Sequence, residues 1–159
     1  MDQADLLFQL DGDADVMKYI TLGIPRTMDE VIEKSMPRIL KSYQDKTDFG
    51  IFAAYLINSE KYIGSFQFEM DKEFDDSIEI GWRLKKQYWG NGYATEVAIV
   101  LCELGIKMGK TIVARAMIEN LASIRVMEKA GLKFEKEFWG DYDPHSGSPD
   151  VLYKRSLIT

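Results

Sequence analysis

The stretch Ile80-Gly-Trp-Arg-Leu-Lys-Lys-Gln-Tyr-Trp-Gly-Asn-Gly-Tyr-Ala-Thr-Glu-Val-Ala98 constrains the chain more than any other. An apolar run that reads as a strand ends near Leu84, and a loop carries Gln87, Gly90 and Gly92. A helical pattern begins at about Ala94 or Thr95. Strand, glycine loop and helix in that order make a cradle for an anion. Glycines let backbone N–H groups turn toward a ligand with no Cβ in the way, and the new helix adds unpaired N–H groups and the positive end of its dipole. A phosphate is the expected anion.

The rest of the chain arranges itself around this unit. Residues 13–22 carry Val16, Tyr19 and Ile20 at helical spacing, with Asp13 or Asp15 as cap, until Gly23 and Pro25 break the pattern. Thr27 with Glu30 forms a capping-box signature for a helix presenting Val31, Ile32, Met36, Ile39, Leu40 and Tyr43, which Pro37 should kink or split. From Phe49 the period changes. Strands are predicted from Phe49 to Ile57, Tyr62 to Met70 and Ser77 to Lys85, an antiparallel meander whose second turn is the acidic cluster Glu69, Asp71, Glu73, Asp75 and Asp76. That cluster reads as a solvated turn, with attraction of a cationic substrate as the other reading. Thr95 to Met108 is apolar nearly all round and should pack against a sheet, Gly109 ends it, and Lys110 to Ile118 is a strand of the buried type. A helix over 120–130 and two strands, 132–142 and 151–157, close the chain, with the loop Asp143 to Asp150 between the strands. Strand, buried helix and buried strand in sequence predict a parallel crossover inside an otherwise antiparallel sheet, an α+β or mixed α/β class.

Length and composition set bounds. A chain of 159 residues holds one domain, residues 1–159, with a substantial core. No apolar run approaches the ~18 residues of a membrane span, and the acidic N-terminus has no signal-peptide layout. A net charge of −6 argues against nucleic acid as the main partner. The lone Cys102 lies in an apolar helical pattern and reads as a buried thiol, which places the expected compartment in the reducing cytoplasm. The single histidine, His145, has no partners of metal-ligating type, so no metal site is expected.

Three nucleotide loops compete for the glycines. A P-loop needs Gly-Lys-Ser/Thr, and Tyr93 and Ala94 follow Gly92 instead. A dinucleotide fingerprint needs a small residue where Thr95 stands. The third reading is a Gln-x-x-Gly-x-Gly loop. Gln87-Tyr88-Trp89-Gly90-Asn91-Gly92-Tyr93-Ala94-Thr95-Glu96 resembles the acetyl-CoA pyrophosphate loop of the GNAT acetyltransferases, and more narrowly their RimJ/RimL-type branch. Glu79-Ile-Gly-Trp before the loop and Asn120-Leu-Ala-Ser-Ile-Arg-Val-Met-Glu-Lys-Ala-Gly-Leu after the next strand support it. Asp15-Val-Met-Lys-Tyr-Ile and Asp150-Val-Leu-Tyr are weaker matches. The chain departs from the family pattern at its start. The usual first strand is either shortened to something like Leu6–Leu10 or missing.

The resemblance implies a twisted mixed sheet with helices on both faces, whose central parallel strands, 77–85 and 110–118, splay apart. The pantetheine amides of acetyl-CoA would pair with backbone near Trp82 to Leu84, and the pyrophosphate would sit on N–H groups of Tyr88, Trp89, Gly90, Asn91, Gly92, Tyr93, Ala94 and Thr95, with Gln87 opening the loop. It implies direct attack of a primary amine on the thioester, which needs a base for the amine and a proton for the departing thiolate. Glu79 is the first candidate base and Glu135 the second. The tyrosine that many GNAT enzymes carry seven residues after the Asn120 position is Met127 here. Ser123 is therefore the group expected near the sulfur, and its other reading is a helix hydroxyl bonded to its own backbone. Asn120 is expected to orient the cofactor or to cap its helix. His145 is a weak candidate base, and Tyr88, Trp89, Tyr93, Trp139 and Tyr142 wall an acceptor pocket or belong to the core. The implied function is an acetyl-CoA-dependent N-acetyltransferase acting on a protein N-terminus or a small amine. The alternative is a catalytically silent acyl-CoA-binding or sensory module. The acceptor and the oligomeric state stay open, a homodimer across the C-terminal strands being one arrangement.

Overall fold

The computed structural model describes residues 3–43, 48–139 and 147–156. They form six strands in the order β1-β2-β3-β4-β6-β5. The chain divides into two compact units, residues 1–69 with 82–91 and residues 70–81 with 92–159. Strand β3 (Ser77–Leu84) therefore gives its first five residues to the second unit and its last three to the first.

In the first unit, α1 (Gln3–Asp11) buries Leu7 and Leu10. This helix occupies the place where a shortened first strand, Leu6–Leu10, was the alternative. Residues 13–22, expected to be helical, form successive turns instead. None of the apolar positions Val16, Tyr19 and Ile20 is buried, Met17 being the buried residue of the segment, and Asp13 accepts from the N–H groups of Asp15 and Val16 and folds it into turns. The capping box is as predicted: Thr27 accepts from the Glu30 N–H and the Glu30 carboxylate from the Thr27 N–H. It starts α2 (Met28–Glu30), which runs through a π-helical turn (Val31–Ser35) into α3 (Met36–Ser42). Pro37 explains that turn. Its missing N–H leaves the normal ladder incomplete, and the Met36 N–H reaches back five residues to the Val31 carbonyl. The helix widens at the proline and continues.

Asp11 ties this unit together. Its fully buried carboxylate accepts from Arg26 at 3.1 Å, from the Ser35 hydroxyl at 2.6 Å and from Arg83 on β3. Two guanidinium groups and a hydroxyl offset the desolvation that an unpaired buried carboxylate would suffer.

Strands β1 (Gly50–Tyr55) and β2 (Tyr62–Met70) pair antiparallel, with Gly50 opposite Phe68 and Ala54 opposite Gly64. A Cβ at Gly64 would stand 2.1 Å from the Arg83 carbonyl oxygen and 2.8 Å from the Leu84 Cα. Glycine at this position is what lets β2 approach the end of β3. Gly64→Ala should therefore lower stability by about 2–3 kcal/mol, read as a lower urea midpoint at unchanged m-value.

In the second unit, α4 (Tyr93–Lys107) leads to β4 (Thr111–Met117), α5 (Leu121–Lys129), β5 (Lys133–Phe138) and β6 (Asp150–Arg155). Helix α4 starts two residues before Thr95, directly after Gly92. It lies close to the sheet at Gly105, where a Cβ would meet the Ile112 Cδ1 at 2.2 Å. The predicted crossover is present: β3 and β4 are parallel, paired at Ser77–Thr111, Ile78–Ile112 and Glu79–Val113. Strand β6 lies between β4 and β5, antiparallel to both. Glu135 is an extra residue in β5, since Phe134 faces Tyr153 and Lys136 faces Leu152.

The acidic segment after β2 is a turn, as expected, with Glu73, Asp75 and Asp76 exposed and the Asp71 side chain withdrawn from water. Arg115 on β4 reaches Asp71 at 2.5 Å and Glu73 at 3.1 Å, and Lys110 reaches Asp76 at 2.6 Å. Burial alone would raise the Asp71 carboxyl. The Arg115 guanidinium and the N–H groups of Phe74 and Glu73 outweigh that and hold it below the usual range.

Candidate functional site

After Leu84 a single 3-10 turn (Lys86–Tyr88) is followed by Trp89, whose indole N–H donates to the Leu84 carbonyl at 2.7 Å and folds the loop back on the strand end. Asn91 donates to the Trp89 carbonyl at 3.0 Å. Gly90 and Gly92 take left-handed φ values of +76° and +83°, and no atom lies within 4 Å of where either Cβ would stand. These glycines are required by backbone conformation and not by crowding, and the space beside them is free for a ligand. Gly92 is the N-cap of α4, and no side chain caps it. A 15-residue helix thus begins at Tyr93, with the positive end of its dipole at the loop. An anionic group fits what this loop provides.

Of the other predicted cofactor contacts, Trp82 is half-buried, Leu84 is buried, Gln87 is exposed and Tyr88 is half-buried. Asn120 caps α5, its side-chain oxygen accepting from the Ser123 N–H at 3.2 Å. That leaves the Asn120 NH2 group available. The Ser123 hydroxyl has no hydrogen-bond partner among the described residues, so the self-bonded reading of that residue is not what the structure holds. Met127, which replaces the tyrosine, is buried in the core at 1% exposure and has no proton to give.

Both predicted carboxylate bases are held by cations. Glu79 bonds Arg115 at 3.0 Å, and Glu135 bonds Lys154 at 3.3 Å from its exposed bulge on β5. Arg115, Lys136 and Lys154 also stand around the Phe74 ring, at 5.7, 5.5 and 4.3 Å from its centre. Sequence reading missed this cluster. Its signal was an arginine inside the apolar run Ile112-Val-Ala-Arg-Ala-Met117. Asp150 was noted only as part of a weak match. Its half-buried carboxyl is raised by burial and by Glu119, against the opposing effect of Arg115. Trp139 is exposed, and His145 and Tyr142 lie outside the described residues. Among the described residues no group of side chains is arranged to hold a metal ion, and no helix is long and apolar enough to cross a membrane.

The sequence pattern of the acetyltransferase (GNAT) domain matches residues 1–133. The chain belongs to the GNAT acetyltransferase family. It is 27% identical to an uncharacterized N-acetyltransferase, p20, of Bacillus licheniformis over 162 positions, covering 99% of this chain and 88% of that one. The crystal structure of a GNAT-family acetyltransferase from Bacillus anthracis superposes with a TM-score of 0.76 at 27% identity, over 96% of this chain and 88% of that one. The aminoglycoside acetyltransferase AAC(6')-Ib, solved with coenzyme A, shares the fold at a TM-score of 0.75 and 21% identity, over 99% and 92% of the two chains.

An acetyltransferase assay follows thiol release, which makes the protein's own thiol relevant. Cys102 of this acetyltransferase is fully buried on α4, and burial pushes its thiol up to about 11. Thiolate is the reactive form. Native protein at pH 8 should leave a disulfide reagent unreacted over the time of an assay, and one equivalent should react after unfolding in guanidinium.

Proposed function

We propose that this acetyltransferase belongs to the RimJ/RimL-type branch and moves the acetyl group of acetyl-CoA to a primary amine, residues 1–159 acting as one catalytic domain in the cytoplasm. The observation that carries the reading is the Gln87–Thr95 loop, two left-handed glycines delivering the chain into an uncapped helix N-terminus. In this reading the N–H groups of Tyr88 to Thr95 hold the pyrophosphate. Backbone of Trp82 to Leu84 pairs with the pantetheine amides, and the Asn120 NH2 helps to orient them. Acetyl-CoA supplies an activated thioester carbonyl, and the protein supplies orientation and proton management.

Two chemical tasks then fall to side chains. The amine must lose a proton, and a carboxylate near the sheet takes it, Glu79 and Glu135 being the two drawn from sequence. The departing sulfur needs a hydrogen-bond donor. The Ser123 hydroxyl suits that role because it is unengaged in the first turn of α5. The acceptor is proposed to be a small amine or a protein N-terminus. The aminoglycoside enzyme of the same fold shows one such acceptor class for its own chain.

Buried Met127, with no proton to give, favours a second reading, an acyl-CoA-binding module without turnover. Thiol release from acetyl-CoA over a panel of amines, with calorimetric binding of acetyl-CoA, separates the two. Release with at least one amine supports the enzyme, binding without release supports the module, and no binding overturns both. Gly92→Val would force a β-branched residue to φ +83°. It should weaken acetyl-CoA binding by about tenfold or more, from the ~1–2 kcal/mol cost of the left-handed conformation, with an unchanged circular dichroism spectrum. Unchanged affinity would overturn the assignment of the loop.

A further inference from the structure

We infer that Asp150, rather than Glu79 or Glu135, is the carboxylate that accepts the amine proton; the inference rests on the acetyltransferase reading above. Three observations converge on it.

The first is position along the sheet. The parallel β3–β4 ladder ends at Glu79–Val113, while β4 continues to Met117. Asp150 is the first residue of β6 and sits opposite Met117 on one side and Phe138 on the other. It therefore stands where β4, β5 and β6 meet at the C-terminal end of the parallel pair, four residues or about 13 Å beyond the last β3–β4 rung. Ligands of open sheets with parallel strands bind at that end. Glu79 forms the last rung itself, four residues short of the Met117–Asp150 position.

The second is the face. Residues directly opposite in a ladder share a face, as do residues two apart on one strand. Asp150 opposes Met117, and Met117 is two residues from Arg115, which bonds Glu79. Asp150 thus shares its face with the charged cluster and is separated from the core layer that packs under α4.

The third is availability. A base needs lone pairs that the protein has not used. Glu79 and Glu135 are each ion-paired through Oε1, with Arg115 and Lys154 respectively. The Asp150 carboxylate forms no hydrogen bond and no ion pair among the described residues. Arg115, the cation nearest to it in charge, is already shared by Asp71, Glu73 and Glu79. The charged groups that Asp150 senses are Arg115 from β4 and Glu119 from the segment after it, where Glu119 accepts from the Ser148 hydroxyl. Half-burial raises the Asp150 carboxyl toward the range in which a base both stays ionised and binds a proton well.

The step balances without any further reactant. The amine nitrogen forms its bond to the acetyl carbon, and the carbon–sulfur bond breaks with its electron pair on sulfur. Asp150 takes one N–H proton, the Ser123 hydroxyl donates a hydrogen bond to the departing thiolate, and the proton that Asp150 then releases to solvent is matched by the one the thiolate takes from it. The sum is amine plus acetyl-CoA giving amide plus coenzyme A.

The test compares Asp150→Asn, Asp150→Glu and Glu79→Gln in the full chain, with an amine that the wild type acetylates. Asp150→Asn should lower kcat by about 100-fold while acetyl-CoA affinity by calorimetry stays within twofold. It should also remove the acidic limb of the kcat–pH profile, and Asp150→Glu should restore at least a tenth of the rate with that limb present. A loss that is only structural would lower the urea midpoint without altering the pH profile of the molecules that remain folded, and that result overturns the proposal. So does Asp150→Asn within threefold of wild type, or Glu79→Gln losing as much as Asp150→Asn or more. If Asp150→Asn does not fold, Asp150→Glu decides alone, an unshifted acidic limb counting against. Wild-type protein that binds acetyl-CoA yet releases no thiol with any amine overturns the acetyltransferase reading and this one with it. An active wild type with an active Asp150→Asn overturns only the role of Asp150.

Discussion

Three rungs of parallel pairing, Ser77–Thr111, Ile78–Ile112 and Glu79–Val113, organise the second unit. Parallel strands cannot be joined by a tight turn, so the chain between them must travel the length of the sheet and return. Here that connection is the glycine loop and α4, and the helix can return only if it packs closely on the strands it connects. Gly105 against Ile112 and Ile78 provides that approach. The anion cradle at the start of α4 follows from the same constraint. A helix that begins at the C-terminal end of a parallel strand presents its unpaired N–H groups there. The left-handed glycines, Gly90 and Gly92, are what let the chain reverse direction without a side chain filling the cradle.

A second constraint is electrostatic and works by saturation. The chain has an excess of acid, and most of the acids around the sheet share a few cations. Arg115 serves Asp71, Glu73 and Glu79, Lys154 serves Glu135, and Lys110 serves Asp76. In the first unit Arg26 and Arg83 serve Asp11. Exposed pairs of this kind add little stability, but the Asp71–Arg115 pair is largely withdrawn from water on the acid side and fixes where the guanidinium lies. Fixing Arg115 fixes Glu79 as a partner and not as a free base. Charge matching thus selects among carboxylates that composition alone treats alike.

The legible parts of the sequence were those whose signal is local. The capping box at Thr27 and Glu30, the meander, the stops at Gly109 and Gly131 and the Gln87–Thr95 loop each depend on residues a few positions apart, and each is present. Where expectation and structure part, a non-local or competing interaction decides. Residues 13–22 have helical spacing, but Asp13 captures nearby N–H groups and turns win. Leu6–Leu10 was readable as strand or as nothing; it is part of a helix because Leu7 and Leu10 bury together on one side. Pro37 neither splits nor simply kinks its helix, since one wider turn absorbs the missing donor. The Arg115 cluster was beyond local reading altogether, because its members come from 71–79, 115 and 136–154 and meet only through sheet order.

That sheet order also explains why the last strand in the sequence matters to chemistry near the middle of it. Placing β6 between β4 and β5 puts Asp150 beside Met117 instead of at an outer edge. An edge carboxylate would be fully hydrated and would keep an ordinary proton affinity. Beside β4 it loses part of its water to neighbouring strands and senses Arg115 without being bonded to it. Proton transfer from an amine requires a carboxylate dry enough to bind the proton and free enough to reach it. Among the carboxylates around this sheet, the β4-β6-β5 order grants both conditions to Asp150, and the ion pairs that steady the turn at residues 71–76 withhold the second from Glu79.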